Sequence, residues 1–216
     1  MDVTGLTRLQ GLCLVVDPSL PHRRLVDIVE KSLKGGVDLL QLWKPRRNSL
    51  EIRELARELL DLANDYGVPL IINNDVQLAK DVEAGGVHFD GYDVTPSDAR
   101  KLLNEQSIVG YTVGNELKWI KWAETVGADY VSFCSVFPSA SAIQCEIIPL
   151  RTLRSAKSVA HIPVFASGGI TLSNVHLVLE AGVDGIAVIS AILNARDPRQ
   201  AAKSFKAIIH NYIPEA

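Results

Sequence analysis

Gly67-Val68-Pro69-Leu70-Ile71-Ile72-Asn73-Asn74-Asp75 is the stretch whose reading decides the fold. A glycine and a proline stop a helix, and a short apolar run then makes a strand. The strand ends on a polar run, Asn73 to Asp75, whose aspartate is suited to cap a following helix. Because Leu70-Ile71-Ile72 has no polar alternation, both faces of this strand are buried. That is the habit of a parallel sheet covered by helices.

The same unit repeats in both directions. Upstream, Leu12-Cys13-Leu14-Val15-Val16 is a first strand, stopped by Asp17-Pro18. Leu25, Ile28, Val29, Ser32 and Leu33 then recur at helical spacing until Gly35-Gly36. Leu39 to Trp43 is a second strand. The helix after it is capped by Asn48 or Ser49 and buries Ile52, Leu55, Ala56, Leu59 and Ala63. Downstream, helices over 76–83, 96–103, 116–126, 149–159 and 174–181 lead into strands over 86–89, 108–112, 130–137, 164–167 and 186–190. A helix over 198–213 closes the chain.

Eight strands alternating with eight helices predict an α/β protein with one domain over residues 1–216, a closed (β/α)8 TIM barrel. The competing architecture is an open doubly wound sheet. Against it, Asp17-Pro18-Ser19 follows the first strand where a dinucleotide-binding sheet has a glycine-rich turn. A weak echo supports regular repetition: Gly36-Val37-Asp38, Gly86-Val87-His88, Gly127-Ala128-Asp129 and Gly182-Val183-Asp184. Each lies where a helix hands over to a strand, so each glycine is expected as a left-handed helix cap.

Composition narrows the function classes. With 47% hydrophobic and 22% charged residues, the chain matches packed globular domains and not disordered or coiled-coil ones. Its apolar runs fall far short of the roughly 20 residues that cross a bilayer. A net charge of −3 gives no global field for nucleic acid, so any anion must be bound locally. Met1-Asp2-Val3-Thr4-Gly5 does not read as a secretory signal. Cys13, Cys134 and Cys145 lack metal-ligand spacing and read as thiols in a reducing compartment, so a cytoplasmic location is expected.

In a barrel, chemistry gathers at the C-terminal ends of the strands. Ser167-Gly168-Gly169-Ile170-Thr171 after strand seven and Ile189-Ser190 after strand eight are expected to hold a phosphate on backbone N–H groups. Lys44, Arg46 and Arg47 place three cations at the end of strand two, where they could clamp a diphosphate. Asn73-Asn74-Asp75 and Asp90-Gly91-Tyr92-Asp93 offer carboxylates that could hold magnesium at the mouth. Asp75 is equally suited to capping, and Asp93 to a turn. His88, in an apolar strand, reads first as a satisfied core histidine.

With these residues placed, the chain resembles the thiamine-phosphate synthase family and its relative, the thiazole tautomerase. The likeness runs from Leu14 to Ile192 through Gln41-Leu42, Pro69 to Asn73, Gly86-Val87-His88, Ala128 to Val131, Val136-Phe137-Pro138, Gly168-Gly169-Ile170 and Asp184 to Ser190. The resemblance implies a (β/α)8 barrel that joins a hydroxymethylpyrimidine diphosphate to a thiazole phosphate and releases diphosphate with magnesium. It implies that Gln41 and Asn73 hold the pyrimidine, with Thr112 where the family has a serine. Ser139, Ser141, Gly168, Gly169, Ile189 and Ser190 would hold the thiazole phosphate, and Asp93 matches a magnesium aspartate. The partners implied are small phosphorylated heterocycles, with no nucleic acid and no membrane. A second copy of the chain, in a homo-oligomer, is the one further partner considered.

Several family positions differ. The family's Gln-Leu-Arg-Glu-Lys is Gln41-Leu42-Trp43-Lys44-Pro45 here, and the magnesium aspartate after the strand-three asparagine is Asn74, with Asp75 one place on. The lysine of its Phe-Pro-Thr-x-Thr-Lys loop is Ala142, and the tautomerase histidine falls at Gly114. The expected metal set is therefore Asp93, Asp75 and Asn74. The alternatives are an isomerase of a phosphorylated heterocycle, with Lys44 or Asp93 as its acid or base, and a non-catalytic phosphometabolite binder.

Overall fold

Eight parallel strands pair in chain order, and β8 returns to β1 to close a barrel. The computed structural model describes residues 9–43, 50–139 and 146–213. The strands are β1 (Gly11–Val16), β2 (Leu39–Leu42), β3 (Leu70–Asn73), β4 (Gly86–Phe89), β5 (Ile108–Val113), β6 (Tyr130–Cys134), β7 (Val164–Ser167) and β8 (Gly185–Val188). Around them run α1 (His22–Leu33), α2 (Leu50–Asp65), α3 (Val76–Val82), α4 (Pro96–Leu102), α5 (Lys118–Val126), α6 (Leu150–Val159), α7 (Val175–Leu179), α8 (Ser190–Leu193) and α9 (Pro198–His210). This is the expected (β/α)8 barrel. No described helix is long and apolar enough to cross a membrane.

The helix faces read from spacing are the buried ones. Leu25, Ile28, Val29, Ser32 and Leu33 are buried on α1, and Ile52, Leu55, Ala56, Leu59 and Ala63 on α2. Two strand ends differ from expectation. β6 stops at Cys134, because the Val136 and Phe137 N–H groups donate to Ser167 and Gly168 carbonyls (2.9 and 3.1 Å) and the chain leaves the ladder to cross the β7 loop. β8 stops at Val188, and Ser190 opens α8, a one-turn helix absent from the eight expected.

Alternate side chains point into the barrel. Cys13, Val15, Leu39, Ile71, Ile108, Tyr130, Phe165 and Ala187 pack there as a cluster separate from the larger layer between strands and helices. Burial raises the Cys13 thiol far above the usual range, which makes it unreactive. Two rings in so narrow a space need empty positions beside them. Gly110 is in register with Tyr130, and a Cβ there would lie 2.2 Å from the Tyr130 ring. Gly185 is in register with Phe165, and a Cβ there would lie 2.3 Å from that ring.

The repeated Gly-x-Asp echo has a mechanical role at the other end of the barrel. Asp38 accepts the Leu12 N–H (2.7 Å) and pairs with Lys206 Nζ (2.7 Å). Asp129 accepts the Val109 N–H (2.6 Å) and pairs with Arg100 (2.6 Å). Asp184 accepts the Val164 N–H (2.8 Å) and pairs with Lys157 (2.7 Å). Each carboxylate ties an N–H near the start of the preceding strand to a helix cation. Gly36, Gly127 and Gly182 have the expected positive φ of 95°, 84° and 86°. Gly86 does not cap a helix. It lies within β4, Glu83 takes the left-handed cap (φ 60°), and a Cβ on Gly86 would lie 2.0 Å from the Ile108 carbonyl oxygen.

Gly185→Ala tests the packing argument. The added methyl must displace the buried Phe165 ring, so stability should fall by about 1–3 kcal/mol. The measurement is the urea midpoint at constant m-value, and an unchanged midpoint would refute the crowding.

Candidate active site

A cavity of about 270 Å³ opens at the C-terminal ends of the strands. One side is made by the turns after β6, β7 and β8. Gly168 and Gly169 have φ of 88° and 65°, which side chains rarely adopt. They also pass against the β6 turn: a Cβ on Gly168 would lie 1.9 Å from Ser135 Oγ, and one on Gly169 would lie 2.6 Å from the Pro138 carbonyl oxygen. Only glycine fits either place. The Asn174 side chain fixes the turn, donating to the Gly169 carbonyl (3.0 Å) and accepting the Thr171 N–H (2.8 Å). Opposite, Ser190 and Ala191 begin α8, and first-turn N–H groups have no partner within a helix. This side can hold an anion by backbone dipoles.

The other side is a polar wall from β3, β4 and β5. Thr112 Oγ1 donates to Asp90 Oδ1 (3.0 Å) and lies 2.8 Å from His88 Nε2. His88 Nδ1 lies 2.9 Å from Tyr130 Oη in the barrel floor. Asp90 Oδ2 accepts from Asn74 Nδ2 (2.8 Å) and Asn73 Nδ2 (3.2 Å), and the Asp90 N–H donates to Asn74 Oδ1 (2.9 Å). Asn74 reaches this reciprocal pair from a left-handed φ of 56°, which asparagine tolerates better than most residues. Burial pushes the His88 pKa down to about 4, although the Asp90 charge pulls it up. Burial also raises the Tyr130 phenol well above its usual range.

Of the residues named from the sequence, Gln41, Thr112, Ser139, Gly168, Gly169, Ile189 and Ser190 line this one cavity. Asn73 is fully buried behind the wall and bonds Asp90 and the His88 carbonyl. The expected metal set does not assemble. Asp75 caps α3 by accepting the Leu78 N–H (2.9 Å), Asn74 is committed to Asp90, and Asp93 is exposed and outside the cavity lining. Among the described residues no three His, Cys, Asp or Glu side chains gather as a metal site. The described donors therefore do not fit magnesium by themselves. Lys44, Arg46, Arg47 and Ser141 lie outside the described residues.

Ser132 and Trp43, which have no site role from the sequence, also line the cavity, as do Asp90 and Ser167, which the sequence places only within the longer runs expected to offer magnesium ligands and a phosphate site. One signal was available. His88 on β4 and Asp90 just past its end are two residues apart, the spacing at which extended residues face the same way. His88 proves to be both a satisfied core histidine and part of the lining.

A family profile described as thiamine monophosphate synthase matches residues 12–192. The chain belongs to the thiamine-phosphate synthase family. A thiamine-phosphate synthase of Methanobrevibacter smithii is 35% identical over 201 residues, covering 91% of this chain and 96% of that protein. One of Desulfitobacterium hafniense is 40% identical over 196 residues, covering 89% and 94%. Among solved structures, the thiamine phosphate pyrophosphorylase of Pyrococcus furiosus superposes with a TM-score of 0.81 at 32% identity, covering 94% of this chain and 96% of that one.

The buried His88 makes this family member's stability pH-dependent. Its folded pKa of about 4 lies below the ordinary 6.5, so between those values the unfolded chain binds more protons. Stability is then complete above about pH 6.5 and falls as pH drops toward 4, by about 3 kcal/mol for a shift of this size. Denaturant melts at pH 7 and pH 4.5 should show this loss in the wild type and a smaller one in His88→Gln. Equal losses would remove His88 as the cause.

Proposed function

We propose that this cavity joins a hydroxymethylpyrimidine diphosphate to a thiazole phosphate and releases diphosphate. The chain is a transferase of thiamine biosynthesis, as its family membership supports. The observation that carries the reading is one cavity with two chemically different sides: glycine and helix N–H groups at β7 and β8, and a side-chain polar wall at β3 to β5. A bisubstrate transferase needs this division, because two ligands must meet in one orientation.

In this reading the thiazole phosphate lies against Gly168, Gly169, Ile189 and Ser190, with Ser139 and Ser141 as the further contacts that the family likeness implies. Gln41 and Thr112 face the pyrimidine, and Asn73 supports Thr112 from behind through Asp90. The C–O bond between the pyrimidine methylene and diphosphate breaks, and a thiazole ring atom bonds to that methylene. Departing negative charge needs cations. Lys and Arg are absent from the described lining, so Lys44, Arg46 and Arg47 are the proposed diphosphate clamp. Magnesium is proposed to enter with the diphosphate, whose own oxygens would supply its ligands, because Asp93, the residue that matches the family's aspartate, is exposed and outside the cavity lining. Charged metabolites as substrates accord with a cytoplasmic location.

Four measurements test this. Diphosphate release on mixing both substrates is expected, and its absence would sink the transferase reading. Ser190→Asp adds a negative charge at a helix start that favours acids, so folding is kept while thiazole phosphate affinity falls about tenfold or more. Arg46→Ala with Arg47→Ala should weaken diphosphate binding about 100-fold while changing monophosphate binding little. Magnesium titrated into the protein alone should give no isotherm, and a chelator should stop turnover. Tight binding of the ion without diphosphate would contradict the proposed entry.

A further inference from the structure

Burial keeps the His88 imidazole neutral at pH 7, and the hydrogen-bond chain from Asp90 to Tyr130 then has only one consistent arrangement of protons. A carboxylate accepts and does not donate, so the Thr112 hydroxyl proton points at Asp90. Thr112 Oγ1 must then accept from His88, which places the imidazole proton on Nε2. Nδ1 is left bare, and the Tyr130 hydroxyl donates to it. The two asparagine amides complete the anchoring by donating to the other carboxylate oxygen.

This ordering decides what the wall offers a ligand. Thr112 has one proton and two lone pairs; the proton is on Asp90 and one lone pair is on His88, so only an acceptor remains. Asp90 Oδ1, with a single donor on it among the described residues, likewise offers an acceptor. Both residues line the cavity. The wall is therefore acceptor-only, suited to N–H groups and unsuited to phosphate or carbonyl oxygens.

We propose that Asp90 is a specificity-determining residue that, with Thr112, recognises an amino group on the substrate heterocycle. His88 and Tyr130 are positioning residues that hold the Thr112 hydroxyl to this role. The identity of the ring rests on the transferase reading, whereas the proton order does not. An amino-bearing pyrimidine is drawn to this wall and the phosphates are kept to the opposite side, so the two substrates are oriented by the same feature.

Replacing Asp90 by asparagine should reverse the chain. The Asn73 and Asn74 amides will claim its single carbonyl oxygen, so its NH2 must face Thr112. Thr112 then donates to His88 Nε2, and the imidazole proton moves to Nδ1. In Tyr130→Phe the Asp90 end is intact, so Nε2–H should persist.

The experiment is 15N-histidine NMR at pH 7 on the wild type, Asp90→Asn and Tyr130→Phe, with His88 assigned by its loss in His88→Gln. Alongside it, affinities are measured for the amino-bearing pyrimidine diphosphate and its oxo counterpart. Expected are Nε2–H in the wild type and Tyr130→Phe, Nδ1–H in Asp90→Asn, and a preference for the amino ring of roughly 100-fold that largely disappears in Asp90→Asn. A wild-type Nδ1–H tautomer, or a tautomer that changes in Tyr130→Phe and not in Asp90→Asn, would overturn the proposal. So would an unchanged amino preference in Asp90→Asn, or a magnesium isotherm lost in that variant with pyrimidine affinity intact. Tautomers as expected with neither pyrimidine bound would support the proton order and refute the transferase reading instead.

Discussion

Everything at the mouth of this barrel stands on how its interior is filled. Tyr130 and Phe165 meet edge to face at 5.4 Å and occupy a space that ordinary aliphatic layers would otherwise fill. They fit only because the adjacent strands carry glycine at the register positions, Gly110 and Gly185. A phenylalanine at position 130 would fill the same space. The tyrosine hydroxyl adds a polar atom at the top of an apolar floor, and His88 can be buried above it because both ring nitrogens then find partners.

The two ends of the barrel are built on different principles. At the N-terminal end Asp38, Asp129 and Asp184 bind strand N–H groups and helix cations, which ties strands to helices. At the C-terminal end the chain adopts backbone conformations that few residues allow: Gly168 and Gly169 at positive φ in close contact with the β6 turn, and Asn74 at a left-handed φ. Hydrogen bonds from the Asn174 side chain and the Asp90 N–H hold these turns, which place N–H groups and carboxylate oxygens around the cavity.

Charge is distributed unevenly around the cavity. Backbone dipoles attract anions on the β7–β8 side, while Asp90 repels them on the other. Trp43, where the family has arginine, is part of the lining, and no Lys or Arg side chain lies in its described part. A cavity polarised in this way can orient ligands whose negative charge lies at one end.

The barrel was legible because its signals are local. Helix faces such as Leu25 to Leu33 follow the 3.6-residue period, and buried strands such as Leu70 to Asn73 are bounded by glycine, proline and caps, so burial on both sides follows from composition alone. The glycine pair after β7 was legible for the same reason, since few residues but glycine make such a turn. Asp75 was legible as a cap, and it finds its helix N–H. The roles of Asp90 and Asn74 were not legible. Asn73 and Asn74 cannot be told apart by type, and their duties depend on which neighbour each meets across the sheet. Asn74 finds Asp90 just past the end of β4, and Asn73 turns inward beneath it. Only the closed register of β3, β4 and β5 decides those meetings, because it brings together residues 16 to 22 positions apart in the chain.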